Sequence, residues 1–455
     1  MFLSTLQLGH RHFPVLIFLL PLPLQAQNGV IDLTSLDNYA NQTKPAYITK
    51  DNTSGNPITD AGATLGRVLF HDKRLSRNNT VSCSSCHQQA HAFSDNATAS
   101  VGVNGTTGRH SMRLINARFG TEAKFFWNER AASLEAQTTQ PIQDHTEMGF
   151  SGTSGDPAFT DLESKLSAIP EYRVLFAMTF DTPDITESRI QQSLAQFVRS
   201  IQSFDSKYDT GRAQVNGENQ NFPNFTANEN AGKALYLAAP GPNGAGCAGC
   251  HRPPEFDIDP NSRNNGIVAS LSGGTDLTNT RSPSLRDLMA PGGSTTNGPF
   301  MHDGSLTTLA AVIAHYNAIP ANNTNLDPRL QRPGGQVQNL NLTAQQRADL
   351  EAFLKTLTGS NVYTDPKWSN PFDVNGNLSL IVLPDSATSM VLNGNGTMTL
   401  TCNAAANLDY QLQSSTDLTT WTDVATITSD ANGMIVRNFP TSANKMFYRF
   451  TYSVP

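Results

Sequence analysis

Two five-residue stretches constrain this chain more than any other feature: Cys-Ser-Ser-Cys-His at 83–87 and Cys-Ala-Gly-Cys-His at 247–251. Two thiols at this spacing can add across the two vinyl groups of a haem while the adjacent imidazole swings under the ring to ligate iron, so spacing and order both matter. A disulfide and half of a zinc site are the competing uses of CxxC, and neither needs the histidine. A histidine directly after the second cysteine, twice in one chain, favours two covalently bound c-type haems. One is expected on Cys83, Cys86 and His87, the other on Cys247, Cys250 and His251. The fifth cysteine, Cys402, stands alone, and an odd count suits a disulfide framework poorly.

The flanks repeat with the motif. "TLGRVLFHDKRLSRNNTVSCSSCH" and "NAGKALYLAAPGPNGAGCAGCH" share an expected helix ending in Gly, a basic residue and an apolar pair, then a loop into the cysteines. The 164 residues from Cys83 to Cys247 are far too long a period for a solenoid and suit two related domains. The second copy opens on "TANE", a capping box from Thr226 to Glu229. Each half closes on an amphipathic helix, "TESRIQQSLAQFVRSIQSF" and "LTAQQRADLEAFLKTL", with Leu350, Phe353, Leu354 and Leu357 along one face of the latter.

The ends of the chain differ from this pattern. Residues 1–26 read as a signal peptide: one Arg, an apolar run from Phe13 to Leu24, then Ala26. That run is shorter than the roughly 20 apolar residues a spanning helix needs, and Pro14, Pro21 and Pro23 interrupt it. The expected location is periplasmic or otherwise exported, with no membrane span. A net charge of −7 without a Lys/Arg block gives no footprint for nucleic acid or an anionic membrane. After "DPKWSNPFDVNGN" come short alternating runs, "TMTLTC", "YQLQSS" and "MFYRFTY", with NGNG and DANG turns. They predict a small all-β sandwich of immunoglobulin or fibronectin type that buries Cys402 and Trp421. The expected fold is mainly α: two cytochrome c-like haem domains at 27–222 and 223–365, then the β-sandwich at 366–455.

The segment between the haem motifs, "GRHSMRLINARFGTEAKFFWNERAASLEAQTTQPIQDHTEMGF" at 108–150, closely resembles the bacterial di-haem cytochrome c peroxidase family, which includes the MauG-type enzymes. So do "LGRVLFHDKRLS", "SPSLRDL", "FMHDGSLTTLAAVIAHYN" and the stretch at 205–209. The resemblance runs from about residue 55 to 360. It implies that Trp127 lies between the haems, that Gln137 is the distal glutamine and that Glu147 is the distal acid. A peroxide at the first iron needs a group that takes the proton from its inner oxygen and delivers it to the outer one, and a carboxylate can do both. Gln137 can orient the peroxide without adding charge. Read alone, Gln137 and Glu147 are ordinary solvated polar positions and Trp127 a core filler.

The resemblance also implies that the iron held by His87 reacts with peroxide and that the iron held by His251 carries a sixth protein ligand. Peroxidases of the family usually supply Met there, and MauG-type members Tyr; counting forward from His302 places Tyr316 at that position, with His315 and Met301 as rivals. A phenolate favours oxidised iron, which tilts the expectation toward MauG-like oxidation. His71, His91 and His110 are the other histidines near the first motif, and core or surface places are expected for His71 and His91. Where the family commonly has Arg-Asn followed by a proline, this chain has Arg109, His110, Ser111 and Met112. The family's Asn helps hold a calcium ion between the haem domains. Imidazole is a poor ligand for that hard cation, which leaves carbonyls near Asn297 and Pro299 as its remaining candidates.

The expected function is that of an exported di-haem peroxidase, MauG-like by its Tyr. Its partners would be hydrogen peroxide and either an electron-donor protein (a small cytochrome or cupredoxin) or a protein substrate. The alternative is a di-haem electron carrier without peroxide chemistry, which has no need of Gln137 and Glu147 on a distal face.

Overall fold

The helix Asp60–His71 begins where Thr59 accepts a hydrogen bond from the Gly62 N–H at 3.0 Å, and it is buried from Gly62 to His71. In this computed structural model, which describes residues 28–121, 124–258, 262–383, 389–440 and 446–455, it crosses the helix Glu187–Ser200 at Gly66. A Cβ on Gly66 would stand 2.0 Å from the Ser193 carbonyl oxygen, so only glycine permits the approach. The second half repeats the device. Ala227–Leu237 crosses Ala344–Lys355 at Gly232, whose Cβ would lie 1.9 Å from the Asp349 carbonyl. The repeated Gly-basic pair of the sequence thus marks two like helix crossings. The basic residue after each glycine is buried and spends its protons on carbonyls: Arg67 Nε on Ser369 at 2.7 Å, Lys233 Nζ on Gln220 at 2.6 Å.

Local sequence explains the helix ends. Thr226 and Glu229 form the expected capping box, and Thr343 with Gln346 forms another. Leu350, Phe353, Leu354 and Leu357 are all buried, as their spacing predicts. The helix that closes the first half stops at Ser200, where Ile201 turns extended, short of the Phe204 that ends its amphipathic stretch.

The described residues form two main apolar clusters. One gathers Phe70, Phe93, Leu175, Leu194 and Phe197 with neighbours from Phe159–Ser167 and Pro170–Phe180. The other stacks Tyr208, Phe222, Tyr236, Phe256 and Phe353. Between the helices run long irregular segments, and two of them, 101–149 and 262–307, carry most of the residues described below.

The C-terminal region is strand-rich. One antiparallel sheet has the order Met434–Pro440, Thr397–Asn403, Ser389–Leu392, and the other Thr422–Thr428, Asp409–Ser415, Phe447–Tyr452. Leu400, Leu412 and Phe439 meet between them. Cys402 is buried as expected. Trp421 is only half-buried, because it lies at the mouth of its strand with the Arg449 guanidinium 4.1 Å over its ring. This region also joins the first apolar cluster through Ala404, Ala405, Leu408, Tyr410 and Ile435, and Ser379–Ile381 pairs in parallel with Val30–Asp32. The run at 1–26 lies outside the described residues. Among those described, no helix is long and apolar enough to cross a membrane.

Candidate functional site

Ser82 caps the short helix Cys83–Cys86, its N–H bonded to Ser85 Oγ at 3.0 Å, and His87 ends it. The chain then turns sharply through Ala92 and Phe93, both at positive φ, which brings the Phe93 carbonyl 3.1 Å from His87 Nδ1. A carbonyl can only accept, so the ring proton sits on Nδ1 and the Nε2 lone pair is left for a metal. Burial holds the imidazole below its usual pKa, and a neutral ring is what a metal ligand must be. Burial pushes the thiols of Cys83 and Cys86 up to about 12 and about 11.

Cys83, Cys86 and His87 line one wall of a cavity of about 550 Å³. Glu147, Gln137 and Trp127 line it as well, so the structure brings the three expected site residues to one place. Glu147 sits in the turn 144–149, where Asp144 Oδ1 accepts its N–H at 3.0 Å and Val103 donates to its carbonyl at 3.0 Å. Burial first, then repulsion from Asp144, raises its carboxyl to about 7, with Arg130 partly opposing. Such a carboxyl exchanges a proton readily near neutral pH. Gln137 stands on the helix Leu134–Thr138, which starts where Ser133 Oγ accepts from Ala136 N–H at 3.1 Å.

A second, narrower cavity is lined by Cys247, Cys250 and His251, with Tyr316 and Met301 also on its walls. Burial lowers His251 to about 4 and raises the Cys247 thiol to about 12 and the Tyr316 phenol above its usual value. Asn265 Nδ2 lies 3.4 Å from both the Tyr316 hydroxyl and the Met301 sulfur. His315 does not line this cavity, and its Nε2 stands 2.9 Å from the Asn265 carbonyl. Consecutive helix residues project about 100° apart, which is why Tyr316 and His315 part here.

Trp127 is buried where the two cavities meet and lines both, its indole N–H donating to the His110 carbonyl at 2.7 Å. His110 and Arg113 also line both. His110 is fixed within the protein, Nδ1 2.9 Å from the Ala97 carbonyl and Nε2 3.4 Å from Ser94 Oγ. His71 lies in the core, 3.2 Å from the Trp368 carbonyl, and neither it nor His91 lines either of these two cavities. Arg113, Arg130 and Asp144 were not singled out from the sequence, since nothing local distinguishes them from other charged residues.

The donor sets suit haem better than the competing uses of CxxC. No disulfide links any of the five cysteines. Among the described residues no three His, Cys, Asp or Glu side chains gather as a metal cluster, so a zinc site would lack partners. Two thiols and one half-buried imidazole per cavity, facing a largely apolar space, are what covalent haem needs.

Comparison with known proteins agrees with this geometry. The family model of di-haem cytochrome c peroxidase matches residues 60–218. The methylamine utilization protein MauG of Methylophilus methylotrophus is 31% identical over 313 residues, 67% of this chain and 84% of that one. The cytochrome c551 peroxidase of Nitrosomonas europaea is 26% identical over 312 residues, 65% of this chain and 80% of that one. The crystal structure of a MauG-like protein associated with microbial copper homeostasis superposes with a TM-score of 0.58 at 30% identity, covering 73% of this chain and 99% of that one. On these matches the chain belongs to the di-haem cytochrome c peroxidase family, a family of oxidoreductases that includes MauG.

Proposed function

We propose that this protein is an exported di-haem peroxidase that reduces hydrogen peroxide in the Glu147 cavity with electrons relayed from the His251 side. The observation that carries the reading is a carboxyl raised to about 7 in the same cavity as Cys83, Cys86, His87 and Gln137. An electron carrier has no use for such a group there. The sequence supports the rest: Cys83 and Cys86, and Cys247 and Cys250, would hold the two haems through thioethers, in cytochrome c-like domains at 27–222 and 223–365. The strand-rich region at 366–455 would be an immunoglobulin-type sandwich, and 1–26 a cleaved export signal.

When bound, haem supplies the iron redox change by which peroxide, two electrons and two protons become two waters. The chain's own residues do the rest. His87, its Nδ1 tied to the Phe93 carbonyl, would hold the iron through Nε2. Glu147 accepts a proton from the nearer peroxide oxygen and returns it to the farther one, so that water leaves; solvent supplies the two protons consumed overall. Gln137 orients the peroxide through its amide without adding charge. Trp127, on the wall shared by both cavities, is the side chain through which electrons pass. Tyr316, on the wall of the His251 cavity, would be the protein's second ligand to the iron there, which would make the protein MauG-like, with either a donor protein or a protein substrate supplying the electrons. Stopped-flow mixing with peroxide tests the reading: haem spectra that change within the first turnover in the parent and not in Glu147→Gln support it. Spectra that stay unchanged in both would leave a di-haem electron carrier.

A further inference from the structure

The family's calcium ion does not suit the residues this chain places between its two cavities. His110 stands where the family's ligating Asn is expected, and its ring nitrogens face Ala97 O and Ser94 Oγ. The Asn297 carbonyl, an expected calcium ligand, instead accepts a hydrogen bond from Arg113 Nη2 at 3.2 Å. One of that carbonyl's two lone pairs is engaged by the guanidinium, whose own charge opposes a second positive ion beside it.

Arg113 is unusual in its surroundings. It lines both cavities, its Nε is buried without a partner, and among the described residues no carboxylate forms an ion pair with it. Asp287 and Tyr363 act on it only at longer range. Asp287 accepts instead from Gly359 N–H at 2.8 Å and Tyr363 hydroxyl at 3.2 Å. A half-buried cation with a buried, unpartnered Nε and no adjacent anion is costly by itself, so its charge is expected to be met by whatever anionic groups occupy the cavities. Haem carries two carboxylates and is an anionic group of that kind.

We propose that the Arg113 guanidinium is the built-in cation at the junction of the two haem cavities, standing where relatives place calcium, and that this chain binds no calcium there. The proposal rests on the two-haem reading. Because Arg113 borders both cavities, its charge favours the reduced state of both irons.

The test uses the purified, haem-loaded full chain. Haem per chain is measured first, which separates a failure of the two-haem reading from a failure of this one. Metal analysis then counts calcium, and spectroelectrochemical titration gives both midpoint potentials with and without a calcium chelator. Expected are calcium far below one per chain, potentials indifferent to the chelator, and both potentials lowered in Arg113→Gln. A drop of roughly tenfold in the reduction equilibrium is about 59 mV for a one-electron couple. Arg113→Lys, which keeps the charge, should restore most of the shift, as a purely packing role would not. About one calcium per chain, removed by the chelator with a change in either potential, would overturn the proposal. So would an Arg113→Gln protein whose potentials match the parent or move at one haem alone. Should Arg113→Gln not fold, Arg113→Met takes its place with the same two outcomes, and the calcium count and the chelator decide independently of either.

Discussion

Glu147 is a carboxyl whose proton affinity is raised first by burial and then by Asp144, with Arg130 opposing both. Only the ionised form accepts a proton from peroxide. The rate of the first peroxide reaction should therefore rise with pH through about 7 and level off above it. In Glu147→Gln the rate should fall roughly 10²–10⁴-fold and lose this limb. Asp144→Asn keeps an oxygen for the Thr146 and Glu147 N–H groups but removes the repelling charge, so the limb should move to lower pH. Stopped-flow rates across pH check all three. On the other side, Tyr316→Phe should change the low-spin EPR signal of the second haem, and an unchanged signal would pass the ligand to Met301. The haem motifs were legible because their chemistry is contiguous in sequence. The roles of Arg130 and Arg113 were not, since each depends on a neighbour distant in sequence, and Asp144, though only three residues from Glu147, matters through a burial that spacing does not show.

At the scale of elements, the two glycine crossings are where local sequence and packing meet. Replacing Gly66 or Gly232 with Ala places a methyl about 2 Å from a backbone carbonyl of the facing helix, which cannot move aside as a side chain would. Overpacking of this kind costs about 1–3 kcal/mol, and both substitutions should lower the urea midpoint of the protein by that energy divided by the m-value, on the order of 1 M. A midpoint unchanged in both would mean that the helices can separate without loss. The capping boxes at Thr226 and Thr343 and the apolar face ending at Leu357 could be read from spacing alone. That the repeated glycine serves close contact could not, because its partners Ser193 and Asp349 lie more than a hundred residues away.

For the whole molecule, the strand-rich region is part of the structure of the helical half and not only an appendage. Leu408, Tyr410 and Ile435 share a cluster with Met178 and Phe176, and Asn407 Nδ2 donates to the Met178 carbonyl at 3.4 Å. Cutting the chain after residue 375 should therefore lower the melting temperature of the remaining part, read by circular dichroism, whereas a merely tethered module would leave it unchanged. Alternation in sequence announced the strands, but alternation says only that one face is buried, not against what. The half-exposed Trp421 shows the same limit from the other side.

Two porphyrins welded to one polypeptide are the premise for everything proposed about Glu147, Tyr316 and Arg113. The direct measurement is the intact mass of the denatured full chain, produced with a working haem-maturation system. The expected result is the polypeptide plus two haems, both lost only when Cys83, Cys86, Cys247 and Cys250 are replaced by Ser. A denatured mass carrying one haem or none would contradict it.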